Sequence, residues 1–173
     1  MNVRLQYDVE FPAGVYFNES LELNTYSVSM SMITSGKDAA HINIAMERLR
    51  MFINNELANV VFIHRIHAEQ AEMLYALGVN ICTLPEEPVD QIIGLMLYCK
   101  LNAIMEGQIV ITSLDIKSTL GEDVWYQHDD EEILGPFDQD GWWHRNSIQK
   151  ETIDLDPTPE NRSEEHTSEL QSR

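Results

Sequence analysis

The sequence predicts an α+β or α/β domain: a mixed β-sheet with about three helices packed on it, in the order β-β-α-β-α-β-α-β-β. Three observations carry this. The first third of the chain alternates apolar and polar residues with period two. Three later segments repeat their apolar residues at helical spacing. Short β-branched runs separate those helices. The β-α-β-α-β-α middle implies some parallel strand pairing through crossover connections.

Val3, Leu5, Tyr7, Val9 and Phe11 alternate with polar residues, the pattern of a half-buried strand, and Pro12-Ala13-Gly14 is expected to end it. A second strand runs from about Leu23 to Ile33. Tyr26, Val28, Met30 and Met32 point to one face, and Ser27, Ser29 and Ser31 to the other. Asp38 is placed to cap a helix carrying Ile42, Ala45, Met46, Leu49, Phe52, Ile53 and Leu57. Asn59 to Ile63 reads as a buried strand, and His67 to Leu77 as a short helix closed by Gly78. Val79 to Leu84 is a further strand. Pro88 suits the first position of a third helix that reaches Met105 and stops at Gly107, and Gly94 inside it implies close packing. Gln108–Ile116 and Val124–Gln127 are the last two strands.

Residues 1–145 form one predicted globular domain, and residues 146–161 read as an acidic, disordered exit. The final residues, Arg162 to Arg173 (RSEEHTSELQSR), look like the translation of a sequencing adapter. By that reading they are foreign to the fold, and the frame runs off a sequenced fragment. Setting them aside removes two Arg and three Glu, leaving 9 basic and 26 acidic residues, net −17. Residues 122–161 hold 12 acidic and 2 basic residues. A charge this negative repels DNA, RNA and anionic membranes and attracts cations or basic proteins. Cys82 and Cys99 lie in apolar segments and read as buried small hydrophobes in a reducing cytosol. The chain opens without a signal-peptide pattern, and the longest apolar stretch, near Ile92 to Met105, is interrupted by Cys99-Lys100 and Asn102.

Several local features could carry chemistry. His64 and His67 form an H-x-x-H at a strand end, with Arg65 between them, where open α/β sheets place sites. A zinc ion would need a third ligand, which no sequence pattern supplies. Ser35, Gly36 and Lys37 precede a helix N-terminus and could hold a phosphate, although the spacing is not that of a P-loop. Asp129 to Glu132 is a charge run with no EF-hand pattern. Trp142, Trp143 and His144, with Trp125 and Tyr126, form either a flap laid over the core or a stacking surface for a ring or base. No Rossmann fingerprint or nucleophile elbow is present, so no cofactor and no catalytic residue is assigned.

Leu84 to Gly94, Leu134-Gly135-Pro136-Phe137 and Gly141-Trp142-Trp143-His144 resemble stretches of uncharacterised small proteins of T4-like marine phages, over roughly residues 1–145. The resemblance implies an acidic cytoplasmic protein of an infected bacterium and transfers no functional residue. Three functions follow as expectations. The first is a non-enzymatic phage accessory protein that binds a host protein or a small, nucleotide-like ligand, for example to inhibit host defence. The second is an acidic nucleic-acid mimic. The third is a metal-dependent hydrolase using His64 and His67. Homo-oligomerisation would serve to cover edge strands.

Overall fold

In the computed structural model, residues 2–35, 38–129 and 134–150 are described. Six strands form one mixed sheet: β1 (Arg4–Phe17), β2 (Ser20–Thr34), β3 (Val61–His64), β4 (Ile81–Leu84), β5 (Ile109–Ser118) and β6 (Tyr126–Asp129). Three helices complete it: α1 (Ala39–Met51), α2 (Ala68–Ala76) and α3 (Asp90–Met105). The fold is α+β, in the predicted order. The strands lie side by side as β4-β3-β1-β2-β5-β6. The β4, β3 and β1 strands run parallel, while each neighbouring pair in the series β1-β2-β5-β6 is antiparallel.

The two halves of the sheet are covered differently, and their sequences show it. In β3 and β4 seven of eight residues are buried, because Val61, Ile63 and Ile81 pack with Ala71 of α2 on one face while Phe62 and Cys82 join the main core on the other. Across β1 and β2 burial alternates instead. Phe11, Tyr26, Val28 and Met30 enter the core, while Gln6, Asp8 and Ser29 link their side chains on the outer face.

Pro12 does not end β1. It sits within the strand, paired in register with Thr25. On its other side β1 meets β3 only from Gly14 onward, where the Gly14 amide donates to Val60. The missing amide of Pro12 therefore falls where no partner strand needs it, and its carbonyl accepts from Asn59.

Asp38 caps α1 as expected, accepting from the Ala40 amide at 2.9 Å. The predicted continuation to Leu57 is a widened π turn, Phe52–Leu57, which brings Phe52, Ile53 and Leu57 into the core. Gly78 has a φ of +84°, the left-handed geometry expected of a helix stop. Pro88 is not the first residue of α3. A tight turn from the Val89 amide to the Glu87 carbonyl delays the helix to Asp90. Gly94 is where the close approach occurs: a Cβ there would lie 2.7 Å from Nε2 of His128 and 2.9 Å from Ile116. Strand β6 starts two residues later than expected, because a turn through Glu122 and Asp123, both with φ of 57°, uses up the intervening chain.

Residues 134–150 fold back over α3. Two short 3₁₀ turns, Gly135–Asp138 and Trp142–His144, bury Phe137, Trp142 and Trp143. Lys100, fully buried in α3, donates to the carbonyls of Trp142 at 3.0 Å and Arg145 at 2.8 Å. Lys150 is also buried, donating to Oδ1 of Asn80 at 2.7 Å beside Glu56. The packed body therefore runs past the expected boundary at residue 145, because two ammonium groups hold the returning chain. Residues 151–173, with the adapter-like segment, lie outside the described residues. Among the described residues no helix is long and apolar enough to cross a membrane.

Candidate functional site

The sequence-derived candidates that lie among the described residues do not converge on one cavity. Ser35 follows the end of β2, which runs antiparallel to β1 and β3. It therefore lies at the opposite end of the sheet from His64. The Ser35 hydroxyl donates to the Gly107 carbonyl, and its amide to that of Gln108, tying β2 to the turn between α3 and β5. Gly36 and Lys37 lie outside the described residues, as do Asp130 to Glu132 of the charge run.

Trp142 and Trp143 are 1% and 2% exposed. The Trp143 indole donates to the carbonyls of Phe137 at 3.1 Å and Gln139 at 3.0 Å and packs edge-on to the Phe137 ring. The two rings are core, so a stacking surface built from them is ruled out by burial. His144 bridges Cys99 (Sγ to Nδ1, 3.3 Å) and the Phe137 carbonyl (2.6 Å from Nε2). Burial pushes the Cys99 thiol up to about 11 and the Cys82 thiol up to about 12, so both are held as inert thiols. Of the three tryptophans Trp125 alone stays open, at 46% exposure, with the Lys117 ammonium 5.1 Å from its ring centre, and His144 is exposed as well.

The opposite end of the sheet gathers polar groups. Tyr16 of β1 pairs with Ile63 of β3, and His64 with Leu84 of β4, so the three parallel strands end flush. The loops that follow them meet there, the place where α/β sheets leave a crevice. His64 is the last residue of β3, His67 comes from the loop that follows it, and the carboxylate of Glu87 comes from the loop after β4. Oε1 of Glu87 lies 3.4 Å from Nδ1 of His64 and 3.5 Å from Nε2 of His67. The backbone holds the loops in place. The His67 amide donates to the His64 carbonyl at 3.0 Å, and the Arg65 amide to the Leu84 carbonyl at 2.9 Å. The Tyr16 ring packs edge-on against the imidazole of His67 at 5.4 Å. The sequence flagged both histidines but not Glu87, which reads there only as an acid at a helix start.

A groove of about 440 Å³ opens at the same end, between the β1–β2 hairpin, the start of α3 and the β5–β6 turn. Val15, Phe17, Leu120 and Tyr126 give it apolar walls, and Glu22 and Asp90 line it as well. Asp90 is buried, and the Ser118 hydroxyl lies 2.8 Å from both of its oxygens. Burial holds this carboxyl above its ordinary value, against the opposing effect of the Ser118 hydrogen bonds. Gly121 leaves room for it, since a Cβ there would collide with Oδ2 of Asp90. Among the described residues that line the groove there is no Lys or Arg.

No protein-family model matches the sequence, and no curated protein matches it. One solved structure that is similar is that of an uncharacterized protein from Wolinella succinogenes. It has a TM-score of 0.53 and 12% sequence identity, covering 76% of this chain and 99% of that one. At that identity the likeness is one of fold alone.

Proposed function

We propose that the protein is a non-enzymatic binding protein whose ligand presents an organic cation to the groove at the start of α3. The observation that carries this is Asp90: a buried carboxylate facing an apolar-walled groove with no Lys or Arg among its described lining. An ammonium or guanidinium group entering there would gain a charge partner in Asp90 and Glu22 and a ring face in Phe17 or Tyr126. The overall charge of −18 steers cations toward the surface. The same field and lining disfavour a nucleotide, whose phosphates would meet two carboxylates. Of the accessory roles the sequence raises, blocking a basic side chain of a host protein in the bacterial cytoplasm, or holding a small amine, fits the groove better than sequestering a nucleotide signal.

Thermal-shift and calorimetric titrations test this with choline, its neutral isostere 3,3-dimethylbutan-1-ol, and an arginine-rich peptide. The cations should stabilise the fold in proportion to their concentration, and the neutral isostere should not. Asp90→Asn keeps the shape and the Ser118 contact, and Glu22→Gln changes an exposed residue. Both should weaken cation binding. Equal responses to choline and its isostere would defeat the proposal, and peptide binding without choline binding would assign the groove to a protein partner.

A further inference from the structure

We infer that His64, His67 and Glu87 form a binding site for one divalent transition metal of the zinc class, with a coordination position left open to solvent. This does not depend on the cation-binding groove.

Three observations carry it. The first is the donor set. Two imidazole nitrogens and one carboxylate oxygen suit zinc, cobalt or iron(II), whereas calcium and magnesium favour all-oxygen sites. The three ligand atoms already lie within 4.8 Å of one another.

The second is spacing. A hydrogen bond between an imidazole N–H and a carboxylate is normally about 2.7–3.2 Å long. Here both nitrogens stand off the same oxygen, at 3.4 and 3.5 Å. With metal–ligand bonds of about 2.1 Å, the edge of a tetrahedron is about 3.4 Å. The two edges to Glu87 therefore match a metal-centred tetrahedron better than direct hydrogen bonds.

The third is the other carboxylate oxygen. Oε2 of Glu87 is shielded from solvent and accepts no hydrogen bond from the described residues. A carboxyl group with one oxygen shared between two distant ring nitrogens and the other without a described partner is poorly compensated, and a cation at the centre of the cluster would complete it.

The architecture also pre-positions the ligands. Pro85 and Pro88 flank Glu87 and restrict its loop, and the flush ends of β3 and β4 set the two loops side by side. The Tyr16 ring fixes the plane of His67. The side chains of His64, His67 and Glu87 are 18%, 31% and 40% exposed, so the site is reachable from solvent. Three protein ligands at such a site leave a fourth position for exchangeable water or a bound group, which a closed four-ligand site does not.

The test uses the full chain, stripped with chelator and titrated with Co(II) and Zn(II). One equivalent of Co(II) should give the visible absorption of a four- or five-coordinate ion, and Zn(II) should displace it. Zn(II) should also raise the melting temperature. His64→Ala, His67→Ala and Glu87→Gln should each lower affinity at least tenfold, while His41→Ala, on the surface beside Asp38, should leave it unchanged. Circular dichroism of the metal-free variants checks that each is folded. Weak binding of several equivalents, only octahedral Co(II) spectra, or an affinity unaffected by Glu87→Gln in a folded variant would overturn the site.

Discussion

Two short segments carry paired ring side chains, and they reach opposite environments. Trp142 and Trp143 are sealed against α3, with their backbone carbonyls and the Trp143 indole engaged inside the protein. His64 and His67 stand half-open at the end of the parallel strands, facing a carboxylate from another loop. The difference follows from what each segment can leave exposed. Two indoles expose a large apolar area, and burying them is favourable once Lys100 satisfies the carbonyls of the turn that carries them. Two imidazoles at a strand end and in the loop after it lose little by remaining partly solvated, so they are available for recognition.

The largest effect should come from the sealed segment. Trp143→Ala removes a fully packed ring and two indole hydrogen bonds, and should cost about 4 kcal/mol of stability in urea unfolding. A loss below about 1 kcal/mol would show that the segment is a loose cover and not core. A smaller loss is expected at the helix beneath it. Gly94→Ala improves helix propensity by about 1 kcal/mol, but the added methyl meets His128 and Ile116 below 3.0 Å and should cost about 2 kcal/mol net. A stabilised variant would mean that β6 yields easily at His128. The smallest effect belongs to the open segment. Without metal, His64→Ala should change stability by less than about 0.5 kcal/mol, as measured by the same urea titration. A loss comparable to that of Trp143→Ala would make His64 a structural pin and remove the contrast between the two segments.

The candidate site was partly legible. The H-x-x-H at a strand end is readable because the β-branched run before it marks where the strand stops. Glu87 is not, since 23 residues separate it from His64 and only the parallel pairing of β3 with β4 sets their loops together. Asp90 reads as an ordinary acid near a helix start until burial against Ser118 and Gly121 gives it a groove to face. The tryptophan pair is compatible with flap or platform in sequence, because periodicity is lost in 3₁₀ turns and burial cannot be inferred from it.

The sequence by itself determined the kinds of element and their order. Period-two alternation, helical spacing, Asp38 at a cap and Gly78 at a stop are local signals, set by backbone sterics and by which face must leave water. It also determined the charge, which disfavours phosphate-bearing partners. Only the tertiary structure decided the strand order, the passage of β1 through Pro12, the burial of Lys100 and the meeting of His64, His67 and Glu87. Each of these depends on contacts between residues far apart in the chain, and local preference carries no information about which distant group will arrive to satisfy a charge or a carbonyl.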